Sequence, residues 1–384
     1  MTKNLIELSG LLLGKFRGVN GKPVTGRFSL PTDLDGEEAA LRDLDFGTVW
    51  KSSSGVDACD YRLDGARYLA LALALPPEEL ADLESSSEGS IQPTEVVGSI
   101  YLFLAHKVNL LPSEADPLLI EEHIAGPAST HDGVALDVVK ESLGNLTVFR
   151  VHDVSVFRGE VSSRYLADYI CTFDARLTRR TRLNTVSIGI VREIFLQERY
   201  YLVERNLFEA MSAPSARHAF LEIYRTLEFV FALPRARSLL DALRHAGGSI
   251  ELNILEFARH CYRELGWKRV ESDAIRRIFR EFFDTSRGAY ESLVLACSPF
   301  RGLGPVPAMG STSDDAAKFV EKVAARYYQL RNQIAHQFWT DEEIDCTDDD
   351  WSMLIEFSLR CIQYLYDRHL TAPVGTAEKP TEVI

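Results

Sequence analysis

The second half of the chain is interpreted most directly from one stretch, which reads Tyr327-Tyr328-Gln329-Leu330-Arg331-Asn332-Gln333-Ile334-Ala335-His336-Gln337. Its apolar residues continue the helical spacing of the segment before it, which predicts an amphipathic helix. Thr312 and Asp315 have capping-box spacing and mark where that helix begins. Three polar residues of specific type, Arg331, Asn332 and His336, interrupt the apolar pattern near its end.

These three residue types suit phosphodiester chemistry. Asn332 and His336 are four residues apart and share one helix face, and the long side chain of Arg331 can curl toward it. An arginine stays charged and can neutralise a phosphate, whereas an imidazole titrates near neutral pH and can move protons. The stretch therefore predicts a catalytic site at Arg331, Asn332 and His336. A satisfied polar patch at an interface remains the alternative.

The sequence around this stretch predicts an all-helical domain over residues 190–370. Apolar residues recur at helical spacing in several segments, and prolines bracket one of them. The predicted helices cover roughly residues 190–211, 215–233, 250–265, 272–296, 313–334 and 351–369. Residues 298–313 hold three glycines and three prolines, which predicts a loop.

The first part of the chain, residues 1–165, has a different pattern. Glycine, proline and serine clusters divide it into short segments, which predicts a β-rich domain with a few helices. The Pro76-Pro77 pair is typical of a helix start. The candidate strands are Pro23–Leu30, Tyr68–Leu75, Val96–Leu104 and Thr147–Phe157. The predicted fold class is therefore α+β, with a β-rich mixed domain followed by a helical bundle.

Charge is distributed unevenly along the chain. The net charge is −14, yet residues 166–340 carry 25 basic against 20 acidic side chains, and 22 of those bases are arginine. Residues 166–189 are predicted to be an Arg-rich linker, and residues 371–384 a flexible tail. The linker holds four arginines that can bind RNA or a partner, or can simply be solvated: Arg176, Arg179, Arg180 and Arg182.

Composition excludes several classes of protein. The chain is 46% apolar and 26% charged, as in globular proteins, and no apolar run is long enough to cross a membrane. The N-terminus lacks the apolar core of a signal peptide, and the six cysteines have no Cys-x-x-Cys spacing, so we expect a cytoplasmic address. We expect neither a metal nor a cofactor, because the loop with His131, Asp132 and Asp137 is better explained as solvated and no phosphate-binding glycine loop is present.

The stretch Arg331–His336 resembles the active-site motif of the HEPN superfamily (higher eukaryotes and prokaryotes nucleotide-binding), which is an arginine, a polar residue that is often asparagine, and then a histidine. No other histidine in the chain has an arginine at this spacing. Residues 219–229, with a tyrosine and a Leu-Glu-aromatic pattern, resemble the early bundle helix of ApeA-like HEPN proteins of antiphage defence. Together the two resemblances cover about residues 190–370.

This resemblance implies a metal-independent endoribonuclease that works as a homodimer, with two copies of the motif in one cleft. It implies that His336 transfers protons, Arg331 stabilises the pentavalent phosphate, and Asn332 orients the phosphate or the imidazole. Single-stranded RNA would be the substrate, because only RNA has the attacking 2′-hydroxyl. Tyr327 and Tyr328 can stack on bases, although their helical spacing favours the core. A defence-system partner or an infection cue would act through residues 1–165.

Two rival functions remain open at this point. A HEPN-like module can bind or dimerise without turnover, and the Arg-rich middle can hold duplex DNA as a regulator does. Residues 341–350 carry seven acids and no base, and they follow His336 closely. We therefore also consider that this acidic segment repels RNA until it is displaced.

Overall fold

The computed structural model describes residues 5–16, 21–23, 34–96, 98–111, 140, 143, 146–152, 154, 156–157, 161–197, 204–245, 254, 257–258, 261, 271–309, 312–335 and 345–370. The chain divides into two compact units, residues 1–177 and 178–384. The first contains an antiparallel sheet and the second is mostly helical, so the fold class is α+β.

In the part of the chain that the structure describes, the first unit combines five strands with helices. The helices are α1 (Leu5–Leu13), α2 (Leu34–Asp43), α3 (Pro77–Ser86), α4 (Gly98–Lys107) and α5 (Ser163–Cys171), followed by a single turn, α6 (Ala175–Thr178), at the unit boundary. The strands are β1 (Asp45–Lys51), β2 (Asp57–Leu63), β3 (Ala66–Leu71), β4 (Ile91–Thr94) and β5 (Thr147–Val151). Helix α3 begins at the proline pair, as the sequence predicts, with Pro77 in its first turn.

The sheet is antiparallel throughout, in the order β1-β2-β3-β5-β4. Tyr61 on β2 pairs with Tyr68 on β3, and their rings stack with centroids 5.0 Å apart. Helices α1, α2 and α4 share a buried cluster with Cys59, Ala70 and Val148 of the sheet. Helix α5 packs on β2 and β3. Asp168 on this helix accepts hydrogen bonds from the N–H and the hydroxyl of Ser53 at 2.7 and 3.0 Å.

A bulge in β1 depends on a glycine. The register shifts between Phe46 and Val49, and the amide of Thr48 donates to the Asp60 carboxylate at 3.1 Å. A Cβ atom at Gly47 would lie 2.2 Å from the same carboxylate oxygen. Glycine therefore lets Asp60 approach the bulged backbone closely.

The strand predicted over Val96–Leu104 is wrong, because the structure has helix α4 there. The residues from Gly98 to Ala105 are all buried, so the segment lacks the polar face that identifies a helix by its period. A short apolar run fits a buried helix and a buried strand equally well. Asn109, which has a positive φ of 49° just after the helix, is the end signal that the sequence reading missed.

The other predicted strands are shorter in the structure or not described. Strand β3 ends at Leu71 rather than Leu75, and β5 ends at Val151 rather than Phe157. The candidate strand Pro23–Leu30 lies almost wholly outside the described residues. Most of helix α5 lies within residues 166–189, the predicted linker, and the boundary between the units follows Leu177. The first unit therefore includes the beginning of that segment.

The second unit is a helical bundle. Its helices are α7 (Thr185–Gln197), α8 (Glu204–Met211), α9 (Ala216–Val230), α10 (Leu233–His245), α11 (Glu271–Thr285), α12 (Arg287–Ala296), α13 (Ser313–Ala335) and α14 (Asp348–Leu365). A 3-10 helix, Ser298–Leu303, follows α12, and a π-helical turn, Tyr366–Leu370, follows α14. Helix α9 packs on α8, α13 and α14, and α11 packs on α13.

Most helices that the sequence predicts are present. The Thr312–Asp315 capping pair forms at the start of α13, where the amide of Asp315 donates to the Thr312 hydroxyl at 3.2 Å. The segment 272–296 is two helices, because Ser286 separates α11 from α12. The loop predicted over 298–313 begins with the 3-10 helix instead. The helix predicted over 250–265 and the tail 371–384 lie wholly or largely outside the described residues.

Aromatic rings fill the core of this bundle. Tyr327 has no exposed surface and its ring contacts those of Phe220, Tyr224 and Phe279 at centroid distances of 5.4, 5.8 and 5.0 Å. Its hydroxyl is 2.5 Å from that of Ser358 on α14. The core thus fixes α9, α11, α13 and α14 around one tyrosine. No helix among the described residues combines the length and apolarity that a bilayer crossing requires.

Candidate active site

Arg331 lies near the end of α13, and two carboxylates hold its guanidinium. Its Nη2 is 2.8 Å from Oε1 of Glu228 on α9 and 3.1 Å from Oε1 of Glu271, the first residue of α11. The Arg331 side chain is 19% exposed. Three helices that are distant in sequence therefore meet at one partly buried cation.

A tyrosine completes the support of this arginine. The guanidinium carbon of Arg331 is 5.0 Å from the centroid of the Tyr224 ring, within the range of a cation–π contact. The Tyr224 hydroxyl donates to Oε1 of Glu271 at 2.6 Å. Burial, that hydrogen bond and the charge of Glu271 raise the pKa of Tyr224, so it remains a neutral donor. We refer to Tyr224, Glu228, Glu271 and Arg331 as the arginine cluster.

Asn332 joins this cluster from the next position on α13. Arg331 Nη1 donates a hydrogen bond to Oδ1 of Asn332 at 3.0 Å. The guanidinium therefore has a defined orientation, with Nη2 toward the two carboxylates and Nη1 toward the amide. The structure brings together Arg331 and Asn332 of the predicted catalytic set.

His336 lies outside the described residues, which end on this helix at Ala335. Just before it, the carbonyl oxygen of Ile334 accepts a hydrogen bond from Arg217 at 3.4 Å. This contact places Arg217 of α9, a second cation beside Arg331, at the C-terminal turn of α13, where a positive charge is favourable. The predicted contribution of His336 stays a prediction.

The electrostatics of the arginine cluster differ from what the sequence suggested. Burial, the hydrogen bond with Glu271 and the charge of Glu271 raise the pKa of Glu228 to about 7, and Arg331 opposes this effect. Two carboxyl groups thus compete for one guanidinium. The sequence suggested that Arg331 is a cation open to phosphate, whereas in the structure its guanidinium already has two carboxylate partners.

Sequence reasoning found only part of this cluster. Tyr224 and Glu228 belong to the pattern in residues 219–229, which drew attention to this helix but not to a contact with Arg331. Their spacing of four residues places them on one face of α9. Glu271 carried no signal, because its partners lie 47 and 60 residues away.

The two tyrosines proposed to stack on bases have different environments. Tyr327 is fully buried, in the core position that its helical spacing favoured, so its ring is not accessible to a base. Tyr328, the next residue, is half-buried. Of the pair, only Tyr328 presents part of its surface to solvent.

The four arginines of residues 176–182 also differ. Arg176 belongs to the first unit, where its Nη2 lies 2.9 Å from Asp174 and donates to the carbonyl oxygen of Ala74 at 3.0 Å. It is thus engaged in local structure. Arg179, Arg180 and Arg182 belong to the second unit and are exposed.

The described residues contain no group of three or more His, Cys, Asp or Glu side chains arranged to hold a metal ion. The candidate loop with His131, Asp132 and Asp137 lies outside them. Comparisons with known proteins give no match. No family model matches the chain, and neither a curated protein nor a solved structure is significantly similar to it.

Proposed function

We propose that the protein is a metal-independent endoribonuclease of the HEPN type that cuts single-stranded RNA. The observation that carries this proposal is the oriented, partly exposed guanidinium of Arg331, five residues before His336 in the sequence. A fixed guanidinium is suited to stabilise charge that develops on a phosphate, because it does not have to reorganise during the reaction.

The proposed reaction uses groups that the chain and its substrate supply. The 2′-hydroxyl of a ribose attacks the adjacent phosphorus and loses its proton, while the bond from phosphorus to the 5′-oxygen of the next nucleotide breaks. That oxygen takes up a proton, and the products are a 2′,3′-cyclic phosphate and a 5′-hydroxyl end. His336 transfers protons, Arg331 stabilises the pentavalent phosphate, and Asn332 keeps Arg331 oriented.

The wider role follows from the same proposal. Two copies of the chain would pair, so that each contributes an Arg331 and a His336 to one cleft. Residues 1–165 would sense a cue or bind a defence-system partner, and RNA cleavage in the cytoplasm would then halt growth. The two compact units, one with a sheet and one mostly helical, are consistent with a division between control and catalysis.

One observation favours a second candidate, a helical binding module without turnover. Because Glu228 and Glu271 already compensate the charge of Arg331, the cluster is also what a purely structural ion-pair network contains. Cleavage assays separate these two functions directly.

The test is incubation of the full chain with labelled single-stranded RNA and with DNA of the same sequence, in the presence of a chelator. We expect cleavage of RNA alone, with a cyclic phosphate end detected by mass spectrometry. His336→Ala and Arg331→Ala should each abolish it. His152→Ala and Arg360→Ala, at exposed positions, are matched controls that should retain it. RNA that stays intact, with and without infected-cell extract, favours the binding module, and tight duplex-DNA binding without cleavage favours a regulator.

A further inference from the structure

Binding of an RNA phosphate at Arg331 would place a third negative charge in the arginine cluster. Before binding, one guanidinium faces the carboxyl groups of Glu228 and Glu271, at 2.8 and 3.1 Å from the same nitrogen. A phosphodiester carries one further negative charge and competes for that nitrogen. Three anions around one cation are unfavourable in a partly buried site, where water screens them poorly.

Protonation of one carboxyl group relieves this repulsion. A carboxyl group that takes up a proton loses its charge and becomes a donor, so it can hydrogen-bond to the other carboxylate instead of competing for the cation. Glu228 and Glu271 are neighbours in this cluster, because an oxygen of each lies within 3.1 Å of the same nitrogen, Nη2 of Arg331. The pair can therefore release part of Arg331 to a phosphate without leaving two buried charges unpaired.

We propose that binding of an RNA phosphate at Arg331 is coupled to the uptake of one proton by the Glu228–Glu271 pair, which makes both glutamates positioning residues of the site. This inference rests on the proposed function and adds to it the way in which the site accepts its substrate. The two glutamates hold the guanidinium in place before RNA binds. Once one of them is protonated, the guanidinium can pair with the phosphate instead.

The groups that face the pair from the surrounding helices leave this explanation intact. Helix α9 contributes Tyr224, which donates to Glu271, and Arg225, which is paired with Glu222. Helix α13 contributes Arg331 and the buried, neutral Tyr327. Helix α8 contributes Glu209, which is paired with Arg205 on its own helix, and Ser358 of α14 bonds to Tyr327.

The proton is available near neutral pH. The pKa of Glu228 is raised to about 7, and an added phosphate charge raises it further. RNA binding should therefore strengthen as the pH falls. Coupling to one proton changes the dissociation constant by up to about tenfold per pH unit in the range where the pair is ionised before binding.

The experiment measures the binding of a short fluorescent single-stranded RNA by anisotropy between pH 6 and 8.5. It uses the full chain carrying His336→Ala, because that change removes cleavage. It also removes an imidazole whose protonation would itself strengthen RNA binding at lower pH. We expect the dissociation constant to rise about five- to tenfold per pH unit above pH 7. Adding Glu228→Gln should at least halve that dependence and tighten binding at pH 8 several-fold. Adding Glu271→Gln should have an effect of the same sign.

Glu222→Gln is the matched control, because Glu222 is on the same helix and also pairs with an arginine. It should leave the pH dependence unchanged. An unchanged dependence in Glu228→Gln overturns the inference, and if that variant does not fold, as judged by circular dichroism, Glu271→Gln decides in the same way. If the wild-type chain cleaves RNA but the glutamate substitutions leave the pH dependence of the dissociation constant unchanged, the inference alone fails. When the wild-type chain neither binds nor cleaves RNA, the proposed function fails as well.

Discussion

Oε1 of Glu228 lies 2.8 Å from Nη2 of Arg331, and this ion pair between residues 103 positions apart joins the C-terminal ends of α9 and α13. This pair is not isolated, because the carboxyl group of Glu271 approaches the same nitrogen at 3.1 Å. Removing one member therefore changes the protonation of the others. Stability and RNA binding should both depend on pH through the same carboxyl groups.

The pH dependence of folding should show the raised pKa of Glu228. The folded chain keeps a proton on this group up to a pH of about 7, whereas the unfolded chain loses it near 4.5. The folded state thus binds more protons in this window, so the free energy of unfolding falls as the pH rises through it and levels off above. The contribution is about 1–2 kcal/mol after allowance for screening at a side chain that is 32% exposed.

Urea unfolding followed by circular dichroism at several pH values checks this prediction. Glu228→Gln should lose stability less steeply than the wild-type chain between pH 5 and 8, whatever its absolute stability. Glu222→Gln, on the same helix, should follow the wild-type curve in that range. Parallel curves for Glu228→Gln and the wild-type chain would contradict the prediction.

Tyr327 should act on stability and not on RNA. Tyr327→Phe removes a buried hydroxyl that bonds to Ser358, but Ser358 still donates to the carbonyl oxygen of Leu354 at 2.6 Å. Because the partner stays satisfied, we expect a loss of about 1 kcal/mol. Tyr327→Leu, which also removes a buried ring, should cost about 2–4 kcal/mol.

RNA affinity of the folded protein, measured by fluorescence anisotropy, should be unchanged in both variants, because the ring is inaccessible to a base. A specific loss of affinity in folded Tyr327→Leu would show that the ring reaches RNA. Tyr328→Leu is the comparison, since that side chain is half-buried and can contribute contact area.

The sequence predicted the helical unit better than the sheet unit for a physical reason. Long helices such as α9 and α13 lie at the surface of a bundle, so their apolar residues recur at a helical period. Helix α4 is buried from Gly98 to Ala105 and has no such period, so the sequence pattern of Val96–Leu104 wrongly predicts a strand.

The candidate site was predictable to the same partial extent. Arg331 and Asn332 were found because they interrupt an apolar pattern with unusual polar types. Glu271 could not be found, since its contact with Arg331 depends on how α11 packs against α13. A charge that meets its partner only through tertiary packing leaves no spacing to read in the sequence.

Asp350 should be required for stability, unlike its neighbours in the acidic segment. Its carboxylate accepts from the amide of Ser298 at 2.6 Å, and from the amide and hydroxyl of Thr347 at 2.9 Å each. Burial opposes the charge, but these hydrogen bonds prevail and lower the pKa of Asp350. An asparagine has a single acceptor oxygen, so Asp350→Asn should cost about 1–3 kcal/mol.

Urea unfolding at neutral pH should therefore separate Asp350→Asn from Asp349→Asn, whose side chain is exposed and should change stability little. The stabilisation by Asp350 is present above the unfolded pKa, near 3.8, and is lost as the pH falls through the lower folded value. Equal stability of the two variants would contradict this role. A test of whether the acidic segment repels RNA should replace its other acids and keep Asp350.

The exposed arginines after the unit boundary should set the salt dependence of RNA binding. Arg179, Arg180 and Arg182 are exposed, and each phosphate contact of a single strand contributes about 0.7 to the slope of log affinity against log salt. Replacing all three with glutamine should lower that slope by about 2 if each contacts a phosphate. Arg176→Gln is the matched control from the same run of sequence, because Asp174 and the Ala74 carbonyl already engage Arg176. It should leave the slope unchanged, since a guanidinium that is held by Asp174 and the Ala74 carbonyl does not neutralise an RNA phosphate. An unchanged slope in the triple variant would assign these arginines to a solvated connection rather than to the RNA.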